Sequence, residues 1–170
     1  MTAVSDSDRA LIRLQLGREP RGLLGVAARC HSGHPAVITT APRLPDGAPF
    51  PTFYYLCCPE AIAQCSRLEA VGMMREAESL LREPAIAEQY RLAHLDYLTQ
   101  RARTGGNIPE IADISAGGMP YRVKCFHALV AHALARPQVN PIGEWVLQRL
   151  PWSPENCKWT ERTADASGSY

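Results

Sequence analysis

Residues 21–59, RGLLGVAARCHSGHPAVITTAPRLPDGAPFPTFYYLCCP, decide the fold. GLLGVAAR and PAVITTA are small, β-prone apolar runs, and the HSGHP between them is turn-like. PRLPDGAPFP holds four prolines and Asp46-Gly47, so it is a loop. TFYYLCC is then a third strand, aromatic and apolar, stopped by Pro59. In an antiparallel meander the first and third strands run the same way, and their C-terminal ends share one edge of the sheet. Cys30 closes the first strand and Cys57-Cys58 closes the third, so topology brings two distant thiol segments together. Adjacent strand residues point to opposite faces, which leaves one of Cys57 and Cys58 to face a site there.

Around these strands the pattern is helical. Ser5, with Asp8 three residues on, resembles a capping box, and Ala10, Leu11, Leu14 and Leu16 continue a short amphipathic helix that Gly17 ends. A helical stretch runs from Glu60 through Ile62, Cys65, Leu68 and Glu69, with Gly72 as a weak point. Another begins near Pro84, which suits a first turn, and carries Ile86, Tyr90, Ala93, Leu95 and Leu98 to the basic end Arg101–Arg103. TGGNIPEIADISAGG is a Gly-rich connection, residues 119–136 form the next helix, and Pro141–Leu150 a short last one. The expectation is a single α+β domain, a small antiparallel three-stranded sheet packed with about five helices. Its parts are an N-terminal helix at 1–16, the α+β body at 17–150 and a partly ordered tail at 151–170. In that tail Trp152 and Trp159 offer docking groups, and residues past Thr163 are expected to fray.

The chain's 170 residues suffice for one hydrophobic core, and 46% hydrophobic with 21% charged content argues against wholesale disorder. Eighteen basic residues against seventeen acidic leave a charge of +1, which gives no broad nucleic-acid surface. The start MTAVSDSDRALIRLQ is polar and acidic where a signal peptide is basic and then apolar. No apolar run nears the ~20 residues that span a bilayer. The expected location is the cytoplasm, where six cysteines argue for thiols or metal ligands over disulfides.

Two chemistries stand out. The first is a Cys/His set: Cys30 with His31 and His34, Cys57 with Cys58, and the helical trio Cys125, His127 and His132. Thiolate and imidazole are the usual ligands of tetrahedral zinc, which makes zinc the expected cofactor. Cys125 and His132 are seven apart and share a helix face, whereas His127 lies round from it unless the helix has only just begun there. The same residues also suit inert buried thiols beside hydrogen-bonded histidines, or a reactive Cys125 or Cys30 with a histidine base. Cys65, on an apolar helical stripe, and Cys157, in the tail, fall outside the set. The second chemistry is SAGGMPYRVK, where Gly117 and Gly118 lead into a helix start carrying Arg122 and Lys124, an arrangement suited to an anion. A Gly-rich lead-in with solvated basic residues reads equally well.

GREPRGLLGVAARC, TAPRLPDGAPFPTFYYLCCP, SRLEA with GMMRE, ISAGGMPYRVKCFHALVAHALA and VNPIGE together resemble one bacterial family. It is mainly actinobacterial and catalogued as domain of unknown function number five hundred and one. The resemblance spans about Gly17 to about Leu150. It implies an Arg-Cys-Pro-Cys-Gly pattern where this chain has Arg29-Cys30-His31-Ser32-Gly33, so Cys30 matches and Ser32 replaces a second cysteine. The family's Cys-Pro after the aromatic strand matches Cys58-Pro59 and its Lys-Cys-Leu-His matches Lys124-Cys125-Phe126-His127, so the resemblance selects Cys58 over Cys57 and supports Cys30 and Cys125. The loss at Ser32 argues against four thiolates unless His31 or His34 substitutes. Members are typically encoded near a septum-formation initiator and an exopolyphosphatase, which implies a protein partner in the division machinery. No activity carries over with the resemblance.

Three function classes follow. One is a zinc-like Cys/His interaction or regulatory domain, with Cys30, Cys58, Cys125, His34, His127 and His132 as the ligand pool. Another is a small enzyme acting on a phosphorylated or anionic substrate through Gly117, Gly118, Arg122, Lys124 and a thiol or histidine. The last is a structural adaptor without a site.

Overall fold

The computed structural model describes residues 1–161, so the fraying expected past Thr163 lies outside them. Three strands, β1 (Leu23–Arg29), β2 (Pro35–Thr40) and β3 (Tyr54–Leu56), form an antiparallel sheet in the order β1-β2-β3. Helix α1 (Asp6–Leu16) precedes them, and α2 (Pro59–Ala70), α3 (Met73–Ser79), α4 (Pro84–Gly105), α5 (Phe126–Ala135) and α6 (Pro141–Leu147) follow. This is the α+β meander the strand pattern implies, with six α-helices among the described residues. No helix of these residues is long and apolar enough to cross a membrane.

The local signals act as their chemistry dictates. Ser5 and Asp8 close a reciprocal capping box, and Gly17 ends α1 in the left-handed region at φ 65°. Gly72, at φ 82°, breaks what would have been one helix into α2 and α3. Side chains alternate across the sheet. Val26, Ile38 and Cys57 meet Ile12 under α1, while Val37, Tyr54, Leu56 and Cys58 join the main core under the other helices. At the start of short β3 the Tyr97 hydroxyl of α4 accepts the Phe53 N–H at 2.6 Å and the Tyr54 N–H at 3.3 Å.

One expectation is corrected. The helix expected over residues 119–136 starts only at Phe126. Gly117 and Gly118 lie at φ 68° and 95°, and a tight loop closes ahead of the helix through Arg122 N–H to Gly118 O and Lys124 N–H to Gly117 O. Those backbone groups are spent on the loop, so the chain cannot turn helical until the loop is complete. Arg101, at the basic end of α4, is 4% exposed and donates to the carbonyls of Pro51, Ile111 and Ile114. It pins the connection between α4 and α5.

Helix α5 is the centre of the molecule. Phe126, Leu129, Val130, Ala131, His132 and Ala133 are all buried, and the helix packs on β3, α2 and α6. Gly143 sets the distance to α6, because an added Cβ there would fall inside van der Waals contact of Leu129 O. We expect Gly143→Ala to destabilise the fold by about 2–3 kcal/mol, the scale of core overpacking. Chemical denaturation measures it, and an unchanged midpoint would place the α5–α6 contact elsewhere.

Candidate functional site

One face of α2 builds the site. Ile62, Cys65, Ser66 and Glu69 recur at helical spacing and meet the start of α5. Cys125 is the N-cap of α5 and makes no side-chain cap, so the exposed N–H groups of the first turn need another acceptor. Glu69 supplies it, with Oε1 accepting the Phe126 N–H at 2.7 Å. The same oxygen lies 3.2 Å from His127 Nδ1, and Cys125 Sγ lies 3.8 Å from that nitrogen. His127 Nε2 is 3.2 Å from both Ile62 O and Ser66 Oγ. Because a carbonyl only accepts, Nε2 carries a proton and fixes the ring with Nδ1 toward Cys125 and Glu69.

Donor atoms of Glu69, Cys125 and His127 all lie within 4.8 Å of one another, and each residue is half-buried. The Cys125 thiol and Glu69 carboxylate hold the His127 imidazole above its ordinary value against the burial that opposes its charge. Cys65, behind them, is fully buried, and that burial pushes its thiol up to about 12. A cavity of about 410 Å³ opens beside the trio, lined by Tyr54, Tyr55, Leu56, Ile62, Cys125 and His127 among others.

The candidate ligands of the sequence pool therefore separate. Cys125 and His127 come together because the helix has only just begun there, and Glu69 joins them. Cys30, Cys58 and Cys125 do not converge as one set: among the described residues only the Glu69 trio has its donors so close. The physical reason is α2, which begins at Pro59, just after Cys58, and carries the chain away along its length before its distal face reaches Cys125. Cys58 instead meets Cys157, with sulfurs 3.6 Å apart. Burial raises both thiols, Cys58 to about 12. Cys65 is the core residue its apolar stripe implies, whereas Glu69 and Cys157 lie outside the sequence pool. Glu69 lies seven residues past Ile62, but no pattern said which partner that face meets.

His132 belongs to neither group. It is fully buried, stacked on Tyr54 with ring centroids 5.5 Å apart. The Asn140 amide oxygen accepts the Gly143 N–H, which turns its NH₂ toward His132 Nδ1 at 3.2 Å and leaves the ring proton on Nε2, 3.2 Å from Asp96. With both nitrogens engaged, His132 is a packing residue.

The anion reading is also revised at its premise. Arg122 and Lys124 precede α5 and do not sit in its first turn, where Glu69 already takes the Phe126 N–H. Arg122 pairs with Glu78 at 3.0 Å. The two basic residues line an open groove of about 910 Å³ with Arg75 and Arg82.

A family model described as "Protein of unknown function (DUF501)" matches residues 26–148. The chain belongs to that family. The matched span holds Glu69, Cys125 and His127 and stops short of Cys157. No curated protein and no solved structure matches the chain.

The Asp96 network carries a pH signature. Burial opposes the Asp96 charge, but the hydrogen bonds from His132 and Arg136 outweigh it and bring the carboxyl down to about 2. A depressed carboxyl contributes stability that is complete above its unfolded value of ~4 and is lost as pH falls through its folded value. We expect the wild-type stability to drop between pH ~4 and ~2. In Asp96→Asn part of that slope disappears, with about 1–3 kcal/mol lost at neutral pH. Denaturant melts across that range check both, and equal slopes in the two proteins would remove Asp96 as the source.

Proposed function

We propose that the protein binds a divalent ion of the zinc class through Glu69, Cys125 and His127, with a fourth position open to the adjoining cavity. The observation that carries this reading is the orientation of His127. Metal-ligating histidines donate their second ring N–H to a carbonyl or carboxylate, and here Ile62 O takes that role while Nδ1 faces the other two donors. The spacings agree: sulfur, nitrogen and oxygen bonded to one tetrahedral zinc stand about 3.4–3.6 Å apart, against 3.8 Å and 3.2 Å here. Three protein ligands and one open position is the pattern of a site that binds or activates a small ligand, unlike closed structural sites. A regulatory or interaction role beside the division machinery rests on the family resemblance alone.

A second reading has its own observation. The groove holding Arg75, Arg82, Arg122 and Lys124 gathers four cations around one carboxylate, Glu78, and supports binding of a phosphate-rich anion. With inorganic tripolyphosphate as probe, Arg122→Ala should weaken binding at least threefold while changing stability by under ~0.5 kcal/mol. Calorimetric titration checks it, and equal affinity in the two proteins removes the groove from consideration.

For the metal site, Cys125→Ser and His127→Gln purified without chelator should each hold one equivalent of zinc less than the wild type, measured by elemental analysis. Serine and glutamine preserve much of the volume but are poor zinc ligands, so the two variants should still melt cooperatively. Equal zinc content in wild type and both variants would end the proposal.

A further inference from the structure

The C-terminal segment is fastened to the edge of the sheet where β1 ends and α2 begins. His31 N–H donates to Pro154 O at 2.9 Å, and Lys158 N–H donates to Glu60 at 2.9 Å. Trp152, Cys157 and Trp159 are all buried there, at 3%, 5% and 6% exposure. Cys157 thereby comes against Cys58, and the Cys30 sulfur is close enough to act on it electrostatically. Across the hairpin turn Cys30 N–H bonds His34 O, and residues facing each other in an antiparallel ladder put their side chains on one face. Three thiols and a histidine thus gather from three separate segments.

Two orphaned groups mark this edge. Among the described residues only three buried side-chain polar atoms lack a hydrogen-bond partner, and two of them are His34 Nδ1 and Trp152 Nε1. The His34 ring packs edge-on against Trp159 with centroids 5.1 Å apart. The Trp152 indole N–H makes no ordinary hydrogen bond, and the group it faces is the Cys157 sulfur. Leaving such groups unsatisfied costs free energy unless something else engages them. The Glu60 and Ala61 N–H groups also point at the Cys58 sulfur, and the Trp159 N–H at Cys157.

We infer that Cys30, Cys58, Cys157 and His34 form a second, closed tetrahedral site for a soft divalent cation of the zinc class, which staples residues 152–159 to the sheet edge. The Cys58–Cys157 separation of 3.6 Å matches the about 3.7 Å of two sulfurs bonded at ~2.3 Å to one tetrahedral ion. Cys30 and His34 stand further out and close by side-chain rotation. Each cysteine gives its proton to solvent as the ion binds, so three thiolates and one imidazole leave one net negative charge on the site. The N–H groups of Glu60, Ala61, Trp152 and Trp159 answer that charge, and His34 Nδ1 gains the partner it lacks. The donor set is soft and fully protein-derived, which fits a structural ion and excludes magnesium or calcium. It does not depend on the Glu69 site, since the two share no ligand.

Cobalt(II) titration of metal-free, reduced protein tests the inference, because thiolate-to-cobalt charge transfer grows with the number of sulfurs. Wild type should take up two equivalents. His127→Gln should take up one and keep an intense three-thiolate band. Cys157→Ser should lose that band and one equivalent, while Cys157→His should keep the equivalent with a weaker band. Should Cys157→Ser fail to fold, the His127→Gln spectrum decides alone. A His127→Gln protein without the three-thiolate band overturns the inference, as does a band that survives in folded Cys157→Ser. Uptake of one equivalent by wild type with that band intact sinks the Glu69 site and leaves this one standing.

Discussion

A helix buried on nearly every face must have its ends satisfied by the protein itself, because water cannot reach them. Helix α5 is in that position, and its N-cap, Cys125, offers no side-chain acceptor. The Glu69 carboxylate on Phe126 N–H resolves the problem and couples α2 to α5 at one point. Everything else in the centre follows from that contact. His127 is drawn against α2, Cys125 is held at the mouth of a cavity, and β3 packs along the helix behind them. A carboxylate at a helix start also meets the positive end of its dipole, so the arrangement is stabilising before any ligand is considered.

The same geometry explains why the cysteines divide into two groups. The meander does bring the ends of β1 and β3 to one edge, where Cys157 of the C-terminal segment lies against Cys58 and feels the charge of Cys30. Helix α2 then starts at Pro59, with Cys58 as its N-cap, and runs for 12 residues, so its far half is what reaches α5. Cys58 stays at the edge with the C-terminal segment, and Cys65 and Glu69 travel to the centre. Adjacent Cys57 falls on the opposite face of the sheet with Ile12, Val26 and Ile38.

Strands, turns and most helix boundaries were legible because they rest on local chemistry: alternating apolar residues, Pro and Gly at turns, the Ser5–Asp8 cap, and Gly72. The start of α5 was not, since Pro120 and the run beyond it have helical character while a loop closed by backbone hydrogen bonds overrides it. The site was legible in part. Cys125 and His127 stand out by residue type, but Glu69 looks like any solvated helix carboxylate until α5 docks on it. Cys157 was dismissed for lying in a tail, and only the burial of Trp152 and Trp159 turns that tail into a fixed wall. His132 shows the converse. Its residue type promised chemistry, and the Asn140–Gly143 hydrogen bond turns it into packing.

On the proposed readings the two centres differ in what the fold asks of an ion. At the α5 start the helix end is capped by Glu69 on the Phe126 N–H with no ion present. The site proposed there can load, release or exchange an ion while that cap stays in place. At the sheet edge three neutral thiols become thiolates around one ion, and the site turns negative. That charge is held only by N–H groups contributed by α2 and by the C-terminal segment, so the ion and the docked segment depend on each other. On those readings, an exchangeable centre beside a cavity and a fixed staple at the periphery would both follow from where α2 begins and which of its residues reach α5.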